Sequence, residues 1–331
     1  MRHSATLFGS VVSLNLFTQV GCSGPQSALA PAGSGAHWIA NIFWVMTAAA
    51  LVIWIVVILL TVYAARREPD ARDPQRSDFL IIGGGAIVPT LALALLLIYG
   101  LAPIPVLLAP APPGSRQIEV SGEQWWWRVN YRSNEGDSVA LANEIRMPVG
   151  APVEFHLHSP DVVHSFWIPS LGGKVDMIPG RATRLVLTPT RTGTFRGACA
   201  EYCGTSHALM AFPVVVSEAE DFNRWLAAQA LPATTPASAL ALRGAEAFRE
   251  NGCGACHRVR GTSADGVVGP DLTHVGSRLS LGAGILPNTA AAFVRWLSHT
   301  DKVKPAVHMP VFRMLPETEL HALAAYLDGL E

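Results

Sequence analysis

Two long apolar stretches stand near the start of the chain. Neither the segment from Trp38 to Ala65 nor the segment from Phe79 to Ser115 contains a charged residue. A helix needs about 20 apolar residues to cross the hydrocarbon core of a bilayer, so each stretch is long enough. A pair of buried helices in a soluble core is the alternative, but Ala48–Leu60 shows no amphipathic stripe. We therefore predict two transmembrane helices, at about 38–65 and 79–102, within a region that spans 36–109.

The segment between these two predicted helices is rich in arginine. Orientation in a membrane follows the distribution of Lys and Arg, so this loop is expected on the cytoplasmic side. Two crossings then return the chain to the outer face, and the remainder is predicted to be exported. The arginines are Arg66, Arg67, Arg72 and Arg76.

The first 22 residues have the pattern of an export signal. Arg2 precedes an apolar run from Leu7 to Phe17, and small residues follow as far as Gly21. Cys22 is a candidate for lipid attachment after cleavage. An ordinary cleavage site close by is the alternative.

After the apolar stretches the pattern changes twice. Val153–His158 and Thr183–Leu187 alternate between apolar and polar residues, and Pro/Gly turns separate such runs. Several short strands in about a hundred residues predict a β-sandwich or small barrel, assigned to 116–226. Residues 227–238 form a Pro/Ala/Thr-rich linker. Helical spacing then predicts an all-α domain over 239–331, with helices at Ala239–Glu250, Thr289–Ser298 and Glu317–Leu330.

Composition agrees with this division and excludes one class of partner. Charged residues make up 15% of the chain, against roughly 25% in soluble domains. The first 115 residues carry nine of the 49 charges, which leaves 40 for the exported part. The formal net charge of −1 argues against nucleic acid as a partner, because phosphate binding needs a concentrated basic surface.

One short segment of the β region carries soft metal ligands. Cys199, Cys203, His207 and Met210 lie within twelve residues, and thiolate and thioether ligands suit copper. Two bridging sulfurs can hold a pair of coppers that share one electron. A second imidazole has to come from elsewhere, and His164 is the candidate. A disulfide between the two cysteines and a zinc site are the alternatives, with the methionine as packing.

A second cysteine motif lies in the helical region. Cys253-Gly-Ala-Cys256-His257 is the pattern of covalent haem c attachment, in which both thiols add to the haem vinyls and the histidine ligates the iron. A CxxCH sequence also occurs by chance, or as a zinc or redox motif. A methionine as the sixth ligand would raise the potential of the haem, and the candidates are Met309 and Met314.

These residues resemble the binuclear CuA domain of subunit II of the haem-copper cytochrome c oxidases. The resemblance runs through the two-helix anchor, Gln124–Trp127, Ser159–His164, Asp176–Arg181 and the cysteine loop. It implies a cupredoxin fold in which both cysteines bridge two coppers. The other implied roles are His164 and Met210 on one copper, His207 and the carbonyl of Glu201 on the second, the Glu201 carboxylate on a magnesium shared with subunit I, and Trp125 as the electron-entry residue. Packing is expected for Trp126 and Trp127, and partial exposure or hydrogen bonding for His156 and His158.

The helical region resembles the class I cytochrome c domain that is fused to some oxidase subunits II. The similarity lies in Val268–Arg278 and Gly282–Asn288. It implies Met309 as the haem ligand, and Met314 is then expected to pack. His308, which could compete as a ligand, is expected to be solvated. It also implies a contact between the first and last helices of the domain, made by Gly244, Phe248 and Tyr326.

The resemblance implies the electron-input subunit of a membrane-bound cytochrome c oxidase. Electrons would pass from haem c to CuA and on to a haem in subunit I, where oxygen reduction and proton translocation take place. Partners would be subunit I, other oxidase subunits, and cytochrome c or an upstream cytochrome complex as donor. The implied location is the bacterial inner membrane, with both redox domains on the periplasmic face. Two alternatives are the matching subunit of a CuA-type nitric oxide reductase and a membrane-tethered electron carrier without an oxidase partner.

Overall fold

The computed structural model describes residues 23–66, 78–132 and 138–331. These residues belong to two compact units, one formed by 37–109 and the other by the residues before 37 together with those from 110 onward. The predicted signal segment with Cys22, and all of the arginine-rich loop after Arg66, lie outside the described residues.

Two apolar helices dominate the smaller unit. Helix α1 spans Ser34–Arg66, and a second rod begins with a π-helical segment, Phe79–Ile87, and continues as α2, Val88–Leu101. Pro89 in the first turn of α2 has no N–H to donate, and three glycines precede it, which favours the wider π-type winding. A single helical turn, α3, follows at Ile104–Leu107. By length and composition, Ser34–Arg66 and Phe79–Leu107 could each cross a membrane, which agrees with the two predicted apolar helices.

A two-sheet β-sandwich follows, as predicted. One sheet has the order β3-β2-β1-β5-β8 and the other β4-β10-β9-β6-β7. Most neighbours are antiparallel, but β1 pairs with β5, and β4 with β10, in parallel. The strands are β1 Arg116–Glu123, β2 Trp126–Arg132, β3 Ser138–Ala142, β4 Ile145–Pro148, β5 Val153–His158, β6 His164–Trp167, β7 Val175–Met177, β8 Thr183–Leu187, β9 Gly193–Cys199 and β10 Ala211–Ser217.

The core of the sandwich is aromatic and lies directly beneath the cysteine loop. Trp127 is fully buried, and its ring meets Phe166 and Phe212 edge to face, with centroids 5.7 and 5.1 Å apart. Phe212 fills the space beside Gly197, where a Cβ would come within 2.1 Å of the ring. The strands that carry the loop are therefore fixed in place by close packing, since close-packed protein interiors leave little room for side chains to shift.

The remaining helices form the C-terminal domain, apart from α4, Ala219–Gln229, which closes the sandwich. Helix α5 is Ala239–Glu250, and Ser238 caps it by accepting a hydrogen bond from the N–H of Ala241. Two short strands, β11 Ser280–Leu281 and β12 Leu286–Pro287, precede α6, Ala290–Val303, and the domain ends with α7, Glu317–Asp328.

The first and last helices of this domain cross at Gly244, as predicted. A Cβ at Gly244 would lie 2.0 Å from the carbonyl oxygen of Ala322, so only glycine allows the two backbones to approach this closely. Phe248 and Tyr326 pack edge to face at 5.5 Å beside the crossing. This contact fixes one wall of the cavity that is described below.

Candidate metal centre and haem cavity

The cysteine loop connects two antiparallel strands of the same sheet. Cys199 ends β9, Met210 directly precedes β10, and the N–H of Cys199 donates to the carbonyl of Met210 at 2.9 Å. A single 3₁₀ turn at His207–Leu209 folds the loop back on itself. The hairpin therefore brings ligands that are up to eleven residues apart in sequence to one point at its end.

The donor atoms converge around the two sulfurs. The Sγ atoms of Cys199 and Cys203 are 3.8 Å apart and are not bonded to one another. From the Cys199 sulfur, His164 Nδ1 is 3.8 Å away and the Glu201 carbonyl oxygen is 3.2 Å away. From the Cys203 sulfur, His207 Nδ1 is 3.5 Å away and Met210 Sδ is 3.9 Å away.

This donor set fits copper. Within the described residues, His164, Cys199 and Cys203 form a buried group whose ligand atoms all lie within 4.8 Å of one another. Two thiolates, two imidazoles, a thioether and a carbonyl are enough for two ions, and soft sulfur ligands select copper over harder cations. Met210, only 1% exposed, has its sulfur in this cluster, which the zinc and disulfide alternatives do not explain.

His164 is held in place by a second layer of contacts. It starts β6, is fully buried, and its Nε2 donates to Asp161 at 2.9 Å, so Nδ1 is left facing Cys199. The same carboxylate accepts hydrogen bonds from the N–H groups of Gln124 and Val162. A carboxylate behind a metal-ligating histidine fixes the tautomer and orientation of the ring.

Electrostatics couple the histidine and the thiols. Burial lowers the pKa of His164, but the hydrogen bonds to Cys199 and Asp161 outweigh it, and the net pKa is raised. The hydrogen bond from Cys203, with help from His164, lowers the pKa of Cys199, and the same pairing raises the pKa of Cys203. The site therefore favours one thiolate even before a metal binds, and the thiolate is the form that ligates metals.

Glu201 has a second group that points away from the sulfurs. Its carboxylate is 45% exposed and lies 3.9 Å from the ammonium of Lys174, which also binds Asp176 at 2.7 Å. Magnesium prefers octahedral oxygen coordination. Within the described part of the chain, the Glu201 carboxylate lies beside a cation, so the magnesium expectation stays a prediction about a site shared with a partner.

A cavity of about 480 Å³ lies in the helical domain, and Cys253, Cys256, His257 and Met309 line it. Much of the remaining wall is apolar, with Phe293, Leu297, Leu323 and Leu327 among its members. Two thiols, an imidazole and a thioether around an apolar cavity are the groups that haem c requires.

The histidine of this motif is oriented by its backbone surroundings. His257 Nδ1 donates to the carbonyl of Pro270 at 2.8 Å, which leaves Nε2 for a metal. Burial lowers the pKa of His257, so the neutral, metal-binding form is favoured. Gly269 packs flat on the ring, where a Cβ would come within 2.5 Å of it.

The two candidate methionines differ sharply in position. Met309 lines the cavity, and its sulfur accepts a hydrogen bond from the indole N–H of Trp296 at 3.2 Å. Met314 is 72% exposed, so the expectation that it packs in the core is wrong. It lies in the irregular segment after α6, where the chain turns it outward. His308 is exposed, as expected.

The other expected packing roles agree with the structure. His156 and His158 are about one-third exposed and lie 3.5 and 3.0 Å from the carboxylates of Glu154 and Glu119. Trp127 is in the core, and Trp126 carries the guanidinium of Arg128 on its ring at 4.6 Å.

Both domains match known protein families. Residues 117–219 match the family described as cytochrome c oxidase subunit II, periplasmic domain, and residues 241–331 match cytochrome c. A cytochrome c oxidase subunit 2 from Alkalihalophilus pseudofirmus is 31% identical over 345 residues, covering 99% of this chain and 98% of that protein. This chain belongs to the cytochrome c oxidase subunit II family.

Two further relatives cover part of the chain. Cytochrome c oxidase subunit 2 of Bacillus subtilis is 33% identical over 224 residues, which is 65% of this chain and 62% of that protein. The crystal structure of the periplasmic domain of subunit II of the Bradyrhizobium japonicum cytochrome oxidase is 29% identical and covers 38% of this chain and 97% of that domain, with a TM-score of 0.34. A subunit II domain implies CuA copper and a cytochrome c domain implies haem, and the donor sets described above fit both.

In this member of the subunit II family, the two redox domains share the haem cavity. Trp125, Trp126 and Asp161 of the sandwich complete the wall that the cytochrome domain begins. The Trp125 ring is 5% exposed, and its centroid lies 6.3 Å from that of His308. Its indole N–H donates to the carbonyl of Cys203 at 2.9 Å.

Hydrogen bonds join the two domains around this shared wall. The N–H of Ala211, next to Met210, donates to the carbonyl of Ala283 at 3.1 Å. The carboxylate of Glu144, only 5% exposed, accepts from the N–H of Leu279 at 2.8 Å. Sequence reasoning missed these residues, because nothing in their type or spacing distinguishes them from ordinary loop and strand positions.

Proposed function

We propose that this chain is the electron-input subunit of a membrane-bound cytochrome c oxidase and feeds electrons from its own cytochrome domain through CuA to subunit I. Haem c and CuA, when bound, each take up and release one electron at a time. The chain's part is to hold the ligands, fix the separation of the two sites and exclude water. Oxygen reduction and proton translocation would take place in subunit I.

The observation that carries this proposal is the position of Trp125. Trp125 lines the haem cavity, and its indole N–H donates to the main-chain carbonyl of Cys203. Gln124 donates to the same carbonyl through its side-chain amide at 2.8 Å. A single buried side chain thus connects the wall of one site to a proposed bridging ligand of the other.

We propose the following assignments for the two centres. Cys253 and Cys256 would hold the haem covalently, and His257 and Met309 would ligate its iron. Cys199 and Cys203, together with His164, Met210, His207 and the Glu201 carbonyl, would hold the two coppers, and the Glu201 carboxylate would contribute to a magnesium site at the subunit I border. The fit of each donor set to its cofactor supports these assignments.

The location follows from the anchor. The two apolar helices and the match to a periplasmic domain fit a membrane-anchored subunit. We propose the bacterial inner membrane, with both redox domains on the periplasmic face and cytochrome c or an upstream cytochrome complex as donor.

The test is spectroscopic and then kinetic, on the full chain copurified with its oxidase partners. The haem should be low-spin with His/Met ligation, and the copper should show the electron resonance of a mixed-valence pair. After an electron is placed photochemically on the haem, CuA should be reduced before any haem of subunit I. Reduction of the subunit I haem without prior reduction of CuA would contradict the proposed order. Turnover with O2 but not with NO separates an oxidase from a nitric oxide reductase.

A further inference from the structure

A lysine lies buried in the wall of the haem cavity. Lys304 directly follows α6, is 1% exposed and lines the cavity together with Met309. Its ammonium donates to the carbonyl of Gly282 at 2.8 Å, which uses one of its three protons. Among the described residues, no carboxylate forms an ion pair with it.

A buried ammonium without a counter-ion is unfavourable. Removing a charge from water costs several kcal/mol unless an opposite charge or a full set of hydrogen bonds replaces the lost hydration. Burial lowers the pKa of Lys304 to about 7. An ammonium that keeps two free protons at a cavity wall indicates that the occupant of the cavity brings an anion.

A second polar group on the same wall also lacks a partner. The hydroxyl oxygen of Ser280 is buried, lines the cavity and has no hydrogen-bond partner among the residues that the structure describes. Buried hydroxyls normally form at least one hydrogen bond, so a buried hydroxyl without one indicates that a bound ligand supplies the partner. Ser280 lies two residues before Gly282, which holds the ammonium of Lys304.

The proposed cofactor has the matching chemistry. A haem is an apolar disc that carries two propionate carboxylates on one edge. Most of the cavity wall is apolar and suits the disc, whereas the ammonium and the hydroxyl suit a carboxylate. We propose that the ammonium of Lys304 and the hydroxyl of Ser280 bind a haem propionate. This inference rests on the proposed function, because it requires haem c in the cavity.

The position of Lys304 gives this contact a consequence for electron transfer. The next residue, Pro305, accepts a hydrogen bond from Ser206 of the cysteine loop at 2.5 Å, so the lysine stands at the border of the two domains. A fixed positive charge beside the haem stabilises the reduced state, in which the iron carries one positive charge less. Lys304 would therefore raise the haem potential from within the interface.

The experiment compares three substitutions in the full chain with its haem attached. Lys304→Met removes the charge at similar volume, Lys304→Arg keeps it, and Lys302→Met removes a charge from an exposed position two residues away. The midpoint potential of the haem, measured by spectroelectrochemistry, should fall in Lys304→Met. It should stay near the wild-type value in the other two, since surface charges are screened. An unchanged potential in Lys304→Met, or an equal fall in Lys304→Arg, would overturn the proposal.

A second measurement covers the case in which Lys304→Met fails to retain haem. Redox-induced infrared difference spectra of the wild type and of Ser280→Ala, each with haem carrying ¹³C at the propionate carboxyls, should differ in a labelled carboxylate band. Identical labelled bands would refute the contact. If wild-type protein showed no attached haem at all, the proposed function would fail first, and the visible spectrum separates that outcome from a failed propionate contact.

Discussion

The indole nitrogen of Trp125 lies 2.9 Å from the main-chain oxygen of Cys203, and the ring itself is almost completely buried. A residue that the family resemblance marks as an electron-entry point is therefore inaccessible to a soluble protein in this chain. The cytochrome domain borders it instead, through the cavity wall and His308. Electrons from an external donor would have to enter through the attached domain.

Replacing Trp125 tests this route. Trp125→Phe keeps an aromatic ring in the site but removes the N–H that bonds to Cys203, so haem-to-CuA transfer should slow markedly while both optical spectra stay the same. Flash-induced electron transfer within the chain measures the rate. Trp126→Phe is the matched control, because Trp126 lines the same cavity without that hydrogen bond. Equal rates in wild type and Trp125→Phe would show that this bond has no part in the transfer.

Substitutions among the sulfur ligands test the copper assignment. Cys203→Ser should abolish the two-copper electron resonance, because a hydroxyl is a poor bridging ligand for a soft metal. Met210→Leu should leave copper bound but change the resonance, since Leu and Met have similar volumes and the swap usually costs less than about 1.5 kcal/mol in packing. Met147→Leu, at a fully buried methionine of β4, should leave the resonance unchanged. A single-copper signal or zinc in the wild type would show that the assignment is wrong.

The two methionines of the cytochrome domain give opposite expectations. Met309→Leu should eliminate the Met–iron charge-transfer band and lower the haem potential, because a thioether ligand raises it. Met314→Leu should leave both unchanged, since its side chain is exposed. Loss of the band in Met314→Leu instead would identify the other residue as the ligand.

Gly244 tests the helix crossing behind the haem cavity. In an ordinary helix interior, Gly→Ala stabilises by about 0.5–1 kcal/mol. At Gly244 the added methyl would meet the backbone of Ala322, so Gly244→Ala should destabilise the domain by about 1–3 kcal/mol, as overpacking does. Denaturant unfolding followed by haem absorbance measures the change, and Glu246→Ala on the exposed side of the same helix should have little effect. Stabilisation by Gly244→Ala would mean that the helices do not cross this closely.

Glu144 tests the contact between the domains. Glu144→Ala leaves the N–H of Leu279 without its acceptor, so amide exchange near Leu279 should accelerate. The cost should be about 1.5–3 kcal/mol, the usual contribution of a hydrogen bond to a charged group. Glu119→Ala is the control, because among the described residues the carboxylate of Glu119 pairs with Arg132 and His158, both within its own sheet. Unchanged exchange at Leu279 would indicate that the domains are held by other contacts.

The sequence was sufficient for much of the copper site because a hairpin end is a local structure. Cys199 and Met210 face one another as soon as β9 and β10 pair, so close spacing translated into close contact. His164 is 35 residues upstream of Cys199, so its position beside the thiols could not be inferred from spacing; it was the candidate because the copper set needed a second imidazole.

The interface could not be anticipated in this way. Glu144 and Leu279 are 135 residues apart, and a glutamate beside a strand normally faces water. The wrong expectation for Met314 has a similar cause, because an irregular segment has no period from which the direction of a side chain can be inferred. Nothing in the sequence around Lys304 distinguishes it from a surface lysine, yet it is 1% exposed.

The hydrogen bonds described between the domains end on backbone groups of the cytochrome domain, as at Ala283 and Pro305. A contact that ends on an uncharged backbone group depends less on ionic strength than the charge pairs that steer a diffusing carrier. If electrons pass from haem c to CuA as proposed, that step should be first order in the chain, independent of donor concentration and nearly independent of salt. A strong salt dependence of turnover would then point to the docking of an external donor.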